Sequence, residues 1–116
     1  GLTPFGTPFE PSEEEIYESV TTLHGRMSSE DKIAVIHQPP ANTELDIQDG
    51  EHVGSEKVRN IIEEKDFNLL LTGHVHVSYG TDKINNTLMV NPGPVNKGRY
   101  GVMTTENGIE VELKSL

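Results

Sequence analysis

Three histidines stand where this residue can do metal chemistry. His37 ends a short apolar run, Ile33-Ala34-Val35-Ile36, while His74 and His76 follow a second, Leu69-Leu70-Leu71, across Thr72 and Gly73. Neutral imidazole ligates Zn, Mn, Fe, Co and Ni, so the chemistry to expect is divalent-metal binding and metal-assisted hydrolysis, with the metal left open by the residue types. A histidine after a strand serves equally well as a hydrogen-bonded surface residue. The metal reading therefore depends on whether the fold brings the three imidazoles to one place. His24 falls in the last turn of a predicted helix, where a cation is favourable in any case. His52 falls in a long loop, and neither it nor His24 is assigned as a ligand.

The elements around these residues supply the convergence. Strand 33–36, a helix starting near Gly54 or Ser55 and ending near Lys65, and strand 69–71 make a βαβ unit with its two strands parallel. Ligands of parallel sheets gather outside the carboxyl ends of the strands, which places His37, His74 and His76 on one rim. Gly73 allows a sharp turn or a close backbone approach there. Val58, Ile61 and Ile62 form the helix's inward face. Upstream, Ser12 and Glu15 have capping-box spacing, and Ile16, Val20, Leu23 and Met27 recur with helical period, so a first helix is predicted over about 13–25 with Gly25 at its end.

Between the first strand and the second helix, residues 38–53 read as a long polar loop opened by Pro39-Pro40, a length often tied to function. After residue 71 the pattern shifts to shorter strands, including one at 99–104. Asn85-Asn86 and Asn107-Gly108 are hairpin signals. Ile109, Val111 and Leu113 alternate with Glu110, Glu112 and Lys114, as on a sheet with one wet face. The predicted class is α/β (α+β): one βαβ unit followed by antiparallel strands, in a single domain over residues 1–116.

Nine Lys and Arg against nineteen Asp and Glu give a net charge of -10. That disfavours a broad phosphate-backbone surface, so long nucleic acids are not the expected partners. It is compatible with a metal site, because a bound cation reverses the local field. The absence of cysteine excludes disulfides and thiolate zinc clusters. No apolar run reaches bilayer length, and a cytoplasmic setting is expected. The opening, Gly1-Leu2-Thr3-Pro4-Phe5-Gly6-Thr7-Pro8, reads like a cut inside a loop of something longer.

Taken in order, four segments resemble the C-terminal half of a calcineurin-like metallophosphoesterase of the small prokaryotic or archaeal type. They are the loop Thr3 to Pro8, the strand and turn Ile33 to Pro40 with its histidine, Gly73-His74-Val75-His76 as the closing G-H-x-H signature, and Asn91-Pro92-Gly93-Pro94 as an NPG loop. The resemblance implies an αββα sandwich of two sheets flanked by helices, to which this chain contributes one part. It implies that His37 and His74 bind one metal of a dinuclear pair and His76 the other, with Mn, Fe, Zn, Ni or Co as the ions. It also implies hydrolysis of a phosphate ester, as a phosphatase or a phosphodiesterase, by a metal-bridging hydroxide that attacks phosphorus. Because imidazole must be neutral to ligate, activity should fall in acid.

There are two departures, the first minor and the second serious. Val77 follows His76 where an acidic residue is frequent in the family. The family's earlier D-x-H, G-D-x-x-D and G-N-H signatures are absent, and Asp46, Asp49 and Asp82 are not in such contexts. The NPG loop either shapes the rim or acts as a turn before strand 99–104, and Asn91 is given no catalytic role. The chain is thus expected to be incomplete and to associate with a missing N-terminal half or with itself. Two alternatives stay open: a mononuclear hydrolase with a three-histidine zinc site, and a non-catalytic interaction module in which the histidines are structural.

Overall fold

Ser12 opens the first helix as the capping-box spacing predicts. In the computed structural model, which describes residues 12–106 and 108–116, its hydroxyl oxygen accepts the N–H of Glu15 at 3.2 Å. Helix α1 spans Glu13–Arg26, with three glutamates in its first turn at the positive end of the dipole. Gly25 does not end it: the helix continues to Arg26, and Met27 is the extended C-cap. Helix α2, Glu56–Glu64, is capped by Ser55, whose oxygen accepts the Val58 N–H at 3.1 Å. The Ser55 hydroxyl also donates to Glu13 at 2.6 Å, which ties the two helix starts together.

The predicted βαβ unit is present. Strand β1 (Ile33–Val35) pairs in parallel with β4 (Leu69–Leu71), and β4 pairs in parallel with β6 (Thr87–Asn91). Strand β5 (Gly80–Ile84) runs antiparallel to β6 across the Asn85-Asn86 turn, completing a four-stranded sheet in the order β1-β4-β6-β5. Asn85 takes φ +52°, the conformation that a tight primed hairpin demands. The sheet is thus parallel on the side where the histidines emerge and antiparallel at its far edge.

Period-two alternation divides the sheet into two faces. Ala34, Leu70 and Met89 lie side by side in register and pack with Ile16, Val58, Ile61 and Ile62 of the helices. On the opposite face, exposure climbs across the register triplet Val90, Leu71 and Val35, from 1% at Val90 to 76% at Val35. Strand β1 is an edge strand, and beside it Leu23 and Met27 of the predicted helix face are also exposed. The final hairpin, β7 (Arg99–Thr104) and β8 (Glu110–Ser115), faces this second surface across a cleft of about 370 Å³ lined by Val35, Leu71, Val90, Met103 and Val111.

Residues 38–53 are more ordered than a polar loop. They hold a small hairpin, β2 (Ile47–Gln48) and β3 (Glu51–His52), closed by Asp49 at φ +52° and Gly50 at φ +80°. The hairpin wraps around Asp46, which is fully buried. Its carboxylate accepts backbone N–H groups from Asn42, Thr43 and Gly54 at 2.9–3.0 Å and contacts His52 Nδ1 at 2.6 Å. The expected loop at Thr3 to Pro8 and Asn107 of the last hairpin signal lie outside the described residues. Gly108 beside it takes φ +91°, and β7 and β8 pair on either side as an antiparallel hairpin.

Candidate metal centre

Main-chain hydrogen bonds continue past the strand ends and fix where the histidines start. The Ile36 N–H donates to the Leu71 carbonyl and the Thr72 N–H to the Val90 carbonyl. The His37 carbonyl accepts twice, from the Gly73 N–H at 3.0 Å and from the Thr72 hydroxyl at 3.1 Å. The segments after β1 and β4 are therefore held together at the carboxyl rim, as the parallel topology requires.

His37 and His74 meet at that rim. Nε2 of His37 lies 3.2 Å from Nδ1 of His74, with ring centroids 5.0 Å apart and planes at 85°. Gly73 does not make this approach by unusual backbone geometry. It lacks a positive φ, and an added Cβ would lie 3.5 Å from His37 Nδ1, an ordinary contact. The residue in the left-handed region is His74, at φ +63°. The Val75 N–H donates back to the Gly73 carbonyl at 2.7 Å, closing a γ-turn centred on His74. With φ positive this is the rarer, strained form of the turn, and such strain is often retained at functional sites.

His76 is placed differently. It follows buried Val75 in a tight turn closed by the Ser78 N–H on the Val75 carbonyl, and its side chain is exposed. The fold thus brings two of the three predicted ligands into contact and leaves the third nearby in sequence at the rim. Among the described residues, no group of three or more His, Asp or Glu side chains is gathered to hold an ion. His24 is occupied elsewhere, its Nε2 3.0 Å from the Asp66 carbonyl. Asp82 accepts the Glu44 N–H at 2.9 Å and Asp46 sits in its own cage, so both have structural partners.

Asn91 is the residue that the sequence reading passed over. It is buried, and its amide nitrogen donates to the carbonyls of Val75 at 2.9 Å and Ser78 at 3.2 Å. Its oxygen accepts the Gly93 N–H at 3.0 Å. One side chain therefore joins the histidine turn to the Asn91-Pro92-Gly93 loop. Gly93, at φ +87°, lies under Arg99, whose guanidinium carbon stacks 3.4 Å from the centroid of the Tyr79 ring. A Cβ at Gly93 would come within 2.6 Å of Arg99 Cδ, and the positive φ would strain any other residue there.

A family profile for metallophosphoesterases of the calcineurin superfamily matches residues 18–116. The chain belongs to that superfamily. A protein of Methanocaldococcus jannaschii, described as uncharacterized protein MJ1162, is 43% identical to this metallophosphoesterase chain over 97 residues, 79% of the chain and 44% of that protein. One solved crystal structure superposes with a TM-score of 0.77 at 23% identity, covering 91% of this chain and 40% of its own. The crystal structure of TT1561 from Thermus thermophilus gives a TM-score of 0.53 at 19% identity, with 88% and 40% covered. The mixed sheet with helices on one face is therefore a metallophosphoesterase-type fold. The chain spans less than half the length of each of these relatives.

The superfamily as a whole is one of metal-dependent phosphoesterases. The family uses divalent metals, and the donor set at the rim is suited to them. Two nitrogens about 2.1 Å from a common ion stand about 3.0 Å apart at a right angle and about 3.4 Å apart in a tetrahedron. The 3.2 Å between His37 and His74 lies between these values.

Proposed function

We propose that this chain provides the histidine side of a dinuclear divalent-metal centre in a phosphoesterase, with His37 and His74 on one ion and His76 on the other. The observation that supports it is the 3.2 Å contact between Nε2 of His37 and Nδ1 of His74. In a metal-free chain the same distance is a hydrogen bond in which one ring donates and the other accepts. Ion and proton are then alternatives for one lone pair.

When bound, such metals supply a nucleophilic hydroxide and stabilise charge on the phosphoryl oxygens. The residues of this chain hold the rings in place. His37 is fixed through its carbonyl by Thr72 and Gly73, and His74 by the γ-turn. His76 must turn toward the pair from its exposed position.

The bridging carboxylate and the remaining ligands come, in this reading, from the part of the protein that the relatives have and this chain does not span. The same part would cover the apolar surface along β1, where Val35, Leu23 and Met27 are exposed. Among the described residues no helix is long and apolar enough to cross a membrane.

Metal analysis together with hydrolysis of p-nitrophenyl phosphate and bis(p-nitrophenyl) phosphate, on the chain extended by its upstream coding sequence, tests this proposal. Metal-dependent hydrolysis with two ions per molecule, lost in His74→Ala, is the expected result. One tightly held zinc with hydrolysis by the 116-residue chain alone would favour the mononuclear alternative. A metal-free protein in which His74→Ala is silent would leave only an interaction module.

A further inference from the structure

We propose that Asn91 is a positioning residue for the metal centre: its buried amide sets the turn that carries His76 relative to the turn that carries His74. This rests on the reading of His74 and His76 as ligands.

The Val75 carbonyl belongs to the peptide that leads into His76. The Ser78 carbonyl closes the far side of the same turn. Both accept from the one Nδ2 of Asn91. The Asn91 oxygen is held in turn by the Gly93 N–H, so the amide cannot flip without losing all three bonds. Asparagine suits this place because it combines two donors and an acceptor on one short planar group. Val75, the residue between the two histidines, is 1% exposed and acts as a buried pivot. Ser78 adds an anchor on the other side, its hydroxyl donating to the Ile47 carbonyl.

With Val75 buried and its carbonyl pinned, the Cα of His76 is fixed relative to His74, and only the exposed side chain of His76 is left to rotate. Without the amide, the Val75 and Ser78 carbonyls lose a buried partner and the turn is free to shift. A shift of this loop moves His76 while leaving the β1–β4–β6 rungs that place His37 intact.

The experiment is Zn(II) titration by calorimetry on the unsubstituted chain, Asn91→Ala, His74→Ala and Thr87→Ala. Thr87 is the matched control: it lies at the other end of β6, is 2% exposed, and makes one buried hydrogen bond, to the Phe67 carbonyl at 2.8 Å. Asn91→Ala is expected to weaken Zn(II) binding about 10–100-fold, as loss of an outer-shell partner does, while Thr87→Ala costs stability and leaves affinity within about twofold. In the metal-free protein, the imidazole NMR resonances of His74 and His76 should move in Asn91→Ala and stay in Thr87→Ala. Asn91→Ser, which keeps one shorter donor, is read in the same way if the alanine variant does not fold.

Unchanged affinity in Asn91→Ala, or an equal loss in Thr87→Ala, overturns the proposal while His74→Ala still loses the metal. If His74→Ala binds Zn(II) like the unsubstituted chain, the ligand assignment itself fails. Should the unsubstituted chain bind no Zn(II), the imidazole resonances alone decide, and unmoved resonances in Asn91→Ala overturn the proposal.

Discussion

Nε2 of His37 and Nδ1 of His74 lie 3.2 Å apart although 37 residues separate them in sequence. Two parallel strands joined by one helix produce that contact, and both rings sit at the rim, where neither supports the core. Replacing the exposed His37 by alanine is therefore expected to change folding stability by no more than about 0.5 kcal/mol, and replacing the half-buried His74 by somewhat more. Each replacement should nonetheless remove metal binding. Urea unfolding in EDTA beside metal titration separates the two effects, and a large stability loss in His37→Ala would assign the ring to packing instead.

Two glycines near the rim should respond in opposite ways. A Cβ at Gly54 would lie 2.6 Å from the Pro40 carbonyl, 2.7 Å from that of Pro39 and 2.8 Å from Asp46 Cβ, all of them fixed atoms. Gly54→Ala is expected to cost about 1–3 kcal/mol through overpacking. That corresponds to a fall in Tm of about 4–8 °C per kcal/mol for a domain of this size. Gly73→Ala meets only ordinary contact with the His37 ring and should unfold within about 0.5 kcal/mol of the unsubstituted chain. Differential scanning calorimetry of the pair gives the comparison.

Asp46 is fully buried, and three backbone N–H groups and His52 converge on its carboxylate. Asp46→Ala leaves those donors without a partner inside the loop that follows His37. A loss of about 3 kcal/mol or more is expected, since hydrogen bonds to a charged group are the strong ones and each orphaned donor adds its own desolvation cost. His52→Ala removes one contact at the exposed side and should cost less than half as much. Equal losses would show that the imidazole, not the backbone cage, holds the carboxylate.

The parts that were legible in the sequence are those set by apolar periodicity and local turn chemistry. Leu69 to Leu71 and Ile33 to Val35 are short β-branched or leucine runs between breakers, and Val58, Ile61 and Ile62 repeat with helical period. Together they give the parallel pair and the rim. Asn85-Asn86 specified its hairpin in the same local way.

Long-range relationships were not legible. Asp46 finds its partners among backbone N–H groups up to eight positions away, and such donors leave no trace in residue types. Asp49-Gly50 is a strong turn signal, but it joins two-residue strands with no apolar alternation to mark them. The Ile16, Val20, Leu23 and Met27 stripe predicted an inward face. Only its first part is covered, because β1 at the sheet edge leaves Leu23 and Met27 exposed. The role of Asn91 depends on carbonyls 13 and 16 positions away, so its neighbours in sequence could only mark a turn.

Tyr17 links the two helices by donating its hydroxyl to Glu64, and this hydrogen bond raises its pKa above the ordinary value near 10. Burial and the nearby charges of Glu64 and Glu14 push in the same direction. The folded state thus holds the phenolic proton to higher pH than the unfolded chain. The contribution is present in full below the ordinary tyrosine value and is lost as pH rises through the folded one. Tyr17→Phe should lower the urea midpoint at neutral pH, and the two midpoints should converge in the alkaline range. Parallel curves up to strongly alkaline pH would show that the bond contributes nothing that titrates.

The open face along β1 makes the last prediction. Val35 is 76% exposed on an edge strand, with Leu23 at 58% and Met27 at 38% beside it, so the surface presents apolar side chains and unpaired backbone together. Edges of this kind pair with other chains unless charge or cover prevents it. The 116-residue chain alone should therefore show concentration-dependent association by sedimentation velocity. Val35→Lys should shift it toward monomer, because a charge at an exposed edge opposes strand pairing while removing little buried area. Its urea stability in the monomer range should hold within about 0.5 kcal/mol, as for surface substitutions generally. A chain that is monomeric at all concentrations with Val35 in place would mean that this face needs no cover. The apolar edge would then cease to support a role for the part of the relatives that this chain does not span.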